Sequence, residues 1–167
     1  AGNNILSIDT LNNLTTVGES QVAGGRLSTW TTSSTMVAPR YRHATAAYAG
    51  YVYALGGFAP SASNTVEYAK INGNGTLGTW SSLSSMTVIR SSFSAVAYNG
   101  YLYAVGGIDN SSNVLNSVER AKINPDGSLG TWSVVSTLSS YRTGHTSVIA
   151  NGYLYVAGGI NNVSAYL

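Results

Sequence analysis

One unit is written about three times along this chain of 167 residues. Tyr51-Val-Tyr-Ala-Leu-Gly56-Gly57 returns as Tyr101-Leu-Tyr-Ala-Val-Gly106-Gly107 and as Tyr153-Leu-Tyr-Val-Ala-Gly158-Gly159, at steps of 50 and 52 residues. Leu27-Ser-Thr-Trp30, Leu77-Gly-Thr-Trp80 and Leu129-Gly-Thr-Trp132 keep the same step, as do Arg40, Arg90 and Arg142. Three residues after each arginine stand His43, Phe93 and His145. Val66-Glu67-Tyr-Ala-Lys70-Ile71-Asn72 recurs as Val118-Glu119-Arg-Ala-Lys122-Ile123-Asn124, and Glu19 is in phase with both glutamates. So many columns agreeing on one period mark a repeat architecture, in which each unit buries its faces against its neighbours.

Within one period the apolar pattern alternates every second residue. Tyr51 and Tyr53 face one way and Val52 and Ala54 the other, as in a pleated strand. Asn99-Gly100 and Asn151-Gly152, with Ala49-Gly50 in the earlier copy, sit between two such runs. That is a hairpin signal, because a type I′ turn needs positive φ at both central residues. A second turn, Asn72-Gly-Asn-Gly75 or Asn124-Pro-Asp-Gly127, precedes the tryptophan segment and shortens to Ala23-Gly24-Gly25 in the first copy. Each unit therefore reads as four strands, at about 43–49, 51–56, 64–71 and 77–83 in the first full copy. No segment has helical periodicity.

A four-stranded antiparallel sheet repeated every 50 or so residues is a propeller blade. The run Arg142-Thr-Gly-His145-Thr-Ser, a hairpin, Tyr153-x-Tyr-x-x-Gly158-Gly159, then a glutamate strand and a tryptophan, resembles the kelch motif of β-propellers. The resemblance covers nearly the whole chain and departs from the commonest pattern in the long interval from Tyr68 to Trp80. It implies an all-β fold, a kelch-type β-propeller segment, and little about chemistry, since function lives in sites grafted onto a fold.

The repeats amount to about three blades. Residues 8–30 supply the outer strands of one, 40–85 and 90–137 two complete blades, and 142–167 the inner strands of another. Closed propellers have about four to eight blades, and an open arc leaves faces bare. The expected partner is thus the remainder of a longer propeller chain, or a second copy that closes the ring head to tail.

Composition narrows the function. Charged residues are 8% of the chain, with a net charge of +2, so no basic stripe exists for nucleic acid. No apolar run approaches the length of a membrane span. Zero cysteines exclude disulfides, thiolate metal sites and cysteine nucleophiles. Two isolated histidines, His43 and His145, make no metal set, and no cofactor motif is present: the glycine pairs are not a phosphate loop. Six carboxylates, three of them in phase, offer no paired acid and base. The expectation is a protein that is not an enzyme.

Arg40, Arg90 and Arg142 carry two readings. In-phase guanidinium groups near one mouth would attract carboxylates or sulfates; alternatively each ties its blade to the next through backbone carbonyls or through Glu67 and Glu119. Trp30, Trp80 and Trp132 and the glycine pairs Gly56-Gly57, Gly106-Gly107 and Gly158-Gly159 read as structural, because strict periodicity argues for packing between blades. What varies between copies is the loop after each glycine pair: Phe58 to Asn64, Ile108 to Asn116, and Ile160 to Val163. Propellers recognise ligands where sequence is free to vary, so Phe58, Asn64, Asp109, Asn110, Asn113 and Asn161 are the binding candidates. Asn13, Asn74, Asn110 and Asn162 match the glycosylation acceptor pattern, read as chance in a chain so rich in Asn, Ser and Thr. Two lysines only, with abundant Ser, Thr and Asn, lean toward a secreted or cell-surface protein. The expected function is a non-catalytic recognition or assembly module that meets protein or glycan through these loops. The alternatives are a subunit of a self-assembling surface polymer and a fragment of a carbohydrate-active propeller enzyme.

Overall fold

A computed structural model describes residues 4–11, 14–23, 26–27, 30–58 and 61–167. For 4–27 and 31 only the backbone is described, so the side chains of Asp9 and Glu19 lie outside it, as do Asn13, Gly24-Gly25 and Ala59-Pro60.

The described residues form strands and no helix. Strands β5 (Ala44–Tyr48), β6 (Tyr51–Leu55), β7 (Val66–Lys70) and β8 (Ser81–Leu83) make one antiparallel sheet in sequence order. Strands β9 (Ser94–Tyr98), β10 (Tyr101–Ile108), β11 (Val114–Lys122) and β12 (Ser133–Thr137) make the second. The hairpin of β13 (Thr146–Ala150) and β14 (Tyr153–Ala157) forms a two-stranded sheet. Ahead of these, β1 (Asn4–Leu11), β2 (Leu14–Ala23), β3 (Arg26–Leu27) and β4 (Thr31–Thr35) form a sheet in which β2 pairs with all three others.

Two local differences from the sequence expectation have physical causes. The fourth strand of the first full blade spans only Ser81–Leu83 where 77–83 is expected, because Leu77 makes a single bridge to Ile71 and the chain then leaves the ladder. Beyond that bridge Trp80 is buried with Met36, Val52 and Ala54. The N-terminal section likewise holds four strand segments between residues 4 and 35, where the repeat predicts two outer strands in 8–30. The expected hairpin turns are present: Asn99-Gly100 has φ of 48° and 76°, Asn151-Gly152 has 50° and 82°. Ala49 takes 48° as well, a left-handed conformation that Ala reaches at a cost of about 1–2 kcal/mol.

The inner strands β5, β9 and β13 lie side by side, so successive sheets fan out from one line. The core is correspondingly layered between sheets. On β6, Val52 and Ala54 pack with Met36 and Trp80 on one face. Tyr53 and Leu55 pack with Phe93, Leu102 and Trp132 on the other. The two-residue period of a strand thus feeds both interfaces, and all four of these β6 side chains are fully buried. Each such Leu or Val contributes on the order of 1.5–3 kcal/mol by leaving water.

Candidate functional site

The end of the blades where the loops vary is built on a repeated polar joint. Glu119, fully buried on β11, accepts hydrogen bonds from the Thr87 N–H (2.7 Å) and the Val88 N–H (3.1 Å), in the link that enters its own blade. Arg90 closes the joint: one nitrogen donates to the Glu119 carboxylate and another to the Gly106 carbonyl at 2.6 Å. Burial pulls the Arg90 guanidinium below its ordinary range, and the Glu119 carboxylate opposes that pull. One blade earlier, Glu67 accepts from Val37 N–H and Ala38 N–H at 2.7 and 3.1 Å and pairs with Arg40, which also donates to the Gly56 carbonyl. Arg142 donates to the Gly158 carbonyl at 2.7 Å. Arg40 and Arg90 are therefore committed inside the protein, and the partners named here belong to their own blade, where the second reading of the arginines has each tie its blade to the next. They do not form a ring of open cations.

The glycine pairs are where consecutive blades touch. Gly57 N–H donates to the Arg90 carbonyl at 3.0 Å and Gly107 N–H to the Arg142 carbonyl at 2.9 Å. A Cβ on Gly56 would stand 2.5 Å from the Arg90 oxygen, and one on Gly106 2.7 Å from the Arg142 oxygen. Positive φ and this contact together require glycine. Two further backbone bonds run along the mouth, from Ser92 N–H to the Arg42 carbonyl and from Gly144 N–H to the Ser92 carbonyl, both 2.8 Å. Arg42, Ser92 and Gly144 all have left-handed φ there, of 55°, 51° and 65°.

The tryptophans also join blades. Trp132 is buried and its indole N–H donates to the Ser84 carbonyl at 3.1 Å, one sheet away. Trp80 is buried with Met36, Val52 and Ala54, while Trp30 is exposed.

The loop candidates divide into organisers and presenters. The Asp109 carboxylate accepts from Ser111 N–H and Asn113 N–H, both 2.8 Å, and from the Asn113 side chain at 2.9 Å. Those bonds hold Asp109 below the usual carboxylate range, the Asn113 side chain contributing most. Asn161 folds its loop the same way, accepting from Val163 N–H and Ala165 N–H at 3.0 and 2.9 Å. Asn64 is occupied by a bond from its side-chain amide to the Met86 carbonyl. Asn110, Ser111 and Ser112 stand exposed on the loop that Asp109 and Asn113 shape.

Phe58 is half-buried and its ring lies 5.3 Å from that of exposed Tyr41, with which it forms a backbone bridge. The Arg42 guanidinium stands 5.7 Å over the Tyr41 ring. This aromatic and cationic ledge adjoins the loop end of the blades. Sequence reasoning misses Tyr41 and Arg42, because it follows the arginines that repeat. The available signal is departure from the repeat, since Arg42 stands in phase with Ser92 and Gly144.

His43 and His145 are held neutral down to a pKa of about 4, by burial first and then by Arg40 and Arg142 respectively. The described carboxylates are each committed: Glu67 and Glu119 to the joints, Asp109 and Asp126 to their own turns.

A family model described as the Kelch motif matches residues 39–68 and 89–120. Among solved structures, the fold matches one titled "Structure of YjhT" with a TM-score of 0.63 and 23% sequence identity. The match covers 76% of this chain and 36% of that chain, so the chain spans about a third of that protein's length. The likeness is one of fold. No curated protein matches the chain.

Proposed function

We propose, from the premise that this chain carries kelch repeats folded as blades of a β-propeller, that it is a non-catalytic recognition module, secreted or displayed at a cell surface. Its partner is a protein or a glycan, met at the mouth formed by the loops after the glycine pairs. The observation that carries this reading is the division of labour in those loops. Asp109 and Asn113 fix a loop whose tip, Asn110 to Ser112, is presented to solvent, and the preceding blade carries a ledge of Tyr41, Phe58 and Arg42. A rigid frame holding short polar and aromatic side chains recognises planar or hydroxylated surfaces at low entropic cost.

The test is binding against a glycan panel and a panel of surface proteins, before and after combining Arg42→Ser, Phe58→Ala and Asn110→Ala. Loss of the bound partners with an unchanged melting temperature supports the reading. Partners retained in full by the combined variant would overturn it.

The bare face of the last hairpin, β13 and β14, favours completion by further blades, from the same polypeptide or from another. Tyr155 is 52% exposed where Tyr53 of the first full blade is at 0%. Native mass spectrometry distinguishes a single chain from a closed ring of copies.

A further inference from the structure

Consecutive blades meet not only at the mouth but also at the opposite end, where a turn of one blade is seated on the tyrosines of the previous one. In the first full interface that turn is Asn124-Pro-Asp-Gly127. The Tyr53 hydroxyl donates to the Gly127 carbonyl at 2.9 Å, and a Cβ on Gly127 would fall 2.7 Å from the Tyr51 ring. Tyr68 lies across the ladder from Tyr53 and stacks beside both rings. Asp126 immediately precedes Gly127 in this seated turn. Burial first, then Tyr51, Tyr68 and the Asp126 charge, raise the Tyr53 phenol above its ordinary range.

One interface later the same position is an open groove of about 320 Å³. Tyr101 and Tyr103 repeat Tyr51 and Tyr53, but Arg120 replaces Tyr68 across the ladder. The Arg120 guanidinium lies 4.5 Å from the centre of the Tyr101 ring. The groove keeps the pair of tyrosines on which the turn is seated one interface earlier and has gained a cation.

We infer that this groove seats the third-to-fourth-strand turn of an incoming kelch blade, and that Arg120 selects a turn with an acidic residue beside its glycine, as in Asn-Pro-Asp-Gly. The occupant's aspartate pairs with Arg120, its glycine lies on the Tyr101 ring, and its carbonyl accepts from the Tyr103 hydroxyl. A second copy docking head to tail would present its first turn, Ala23-Gly24-Gly25-Arg26, which brings a like charge and no acid. The proposal therefore commits to a blade other than the first sheet of a second copy. It rests on the blade reading of the chain.

The test extends the full chain after Leu167 with a copy of residues 116–137. Leu167 N–H donates to the Gly159 carbonyl and Tyr166 bridges Ile160, as Leu115 pairs Gly107 and Val114 pairs Ile108, so the copy continues in register. The extension is expected to raise the melting temperature. Asp126→Asn made in the copy should then lower the folded-to-unfolded ratio about two- to fivefold, and Arg120→Tyr should abolish that effect. An Asp126→Asn effect that is absent, or the same with Arg120 and with Tyr at that position, overturns the proposal. Two results separate it from the blade reading beneath it. A stabilising extension with a silent aspartate sinks the charge-selective seat and leaves the blades intact. An extension with no effect on melting, together with no effect of Glu119→Ala in the copy, sinks the blade register and the proposal with it.

Discussion

His145 takes, one blade later, the place that Phe93 holds: each presents its Cε1 2.8 Å from where a Cβ would sit on the glycine opposite, Gly106 for His145 and Gly56 for Phe93. An imidazole in a phenylalanine's seat must stay neutral, and burial with Arg142 nearby lowers its pKa from 6.5 to about 4. His43 is lowered to about 4 in the same way, by burial and then Arg40. Because the unfolded chain binds these protons first, the stability both histidines contribute is complete above about pH 6.5. It drains as pH falls from there to about 4, each histidine removing at most about 1.4 kcal/mol for every pH step of one. His145→Phe is expected to flatten this slope. Urea unfolding at pH 7 and pH 4.5 measures it, and an unchanged difference between the two pH values in the variant contradicts the assignment.

Alanine at the glycine pairs should have effects that depend on the blade. Gly106→Ala drives a Cβ to 2.7 Å from the Arg142 carbonyl, on a backbone already at φ 58°. Gly158 has nearly the same conformation, φ 71°, yet a Cβ there meets nothing within 4 Å. Gly158→Ala is expected to cost only the left-handed penalty of about 1–2 kcal/mol, and Gly106→Ala several kcal/mol more. Thermal melts of the two single variants give the comparison, and equal losses would mean that the contact with the next blade carries no energy.

The strand order is legible in the repeat itself, because two-residue alternation and Asn-Gly turns act locally. The roles of Glu67 and Glu119 are half legible. Their phase marks them as structural, but nothing in the sequence says that the amides they cap belong to the link entering the blade. The short fourth strand is not legible, since Leu77-Gly-Thr-Trp80 alternates like a strand but makes only the Ile71 bridge, with Trp80 buried among Met36, Val52 and Ala54. The same holds for the ledge at Tyr41 and Phe58, a contact between a blade's entry and its loop that spacing alone does not reveal.

Removing the carboxylate from the joint should be among the most damaging single changes. Glu119→Ala strips the buried Arg90 guanidinium of its counter-charge and leaves Thr87 N–H and Val88 N–H without their acceptor. Breaking a buried pair by deleting one partner costs about 3–5 kcal/mol. Replacing both members, Glu119→Leu with Arg90→Met, should recover part of that loss by removing the uncompensated cation. The two amides stay unpaired, so recovery is incomplete. Chemical denaturation of the single and double variants tests this, and a double variant no more stable than Glu119→Ala would show that the stranded cation is not the source of the loss.

The tryptophans offer a contrast between identical residues in identical repeat positions. Trp132 is 3% exposed and donates to the Ser84 carbonyl of the adjacent sheet, whereas Trp30 is 44% exposed. Trp132→Ala removes a buried indole and opens a cavity between two blades, which costs about 3–5 kcal/mol. Trp30→Ala in the same chain should change stability by no more than about 0.5 kcal/mol, the usual range for exposed positions. If blades are then added ahead of the first sheet so that Trp30 gains a neighbour, its substitution should come to cost as much as that of Trp132. Melting curves of the two variants, in the chain as it is and in the N-terminally extended chain, check both halves. A large loss from Trp30→Ala in the unextended chain would mean that Trp30 packs within its own sheet and is not the contact an upstream blade completes.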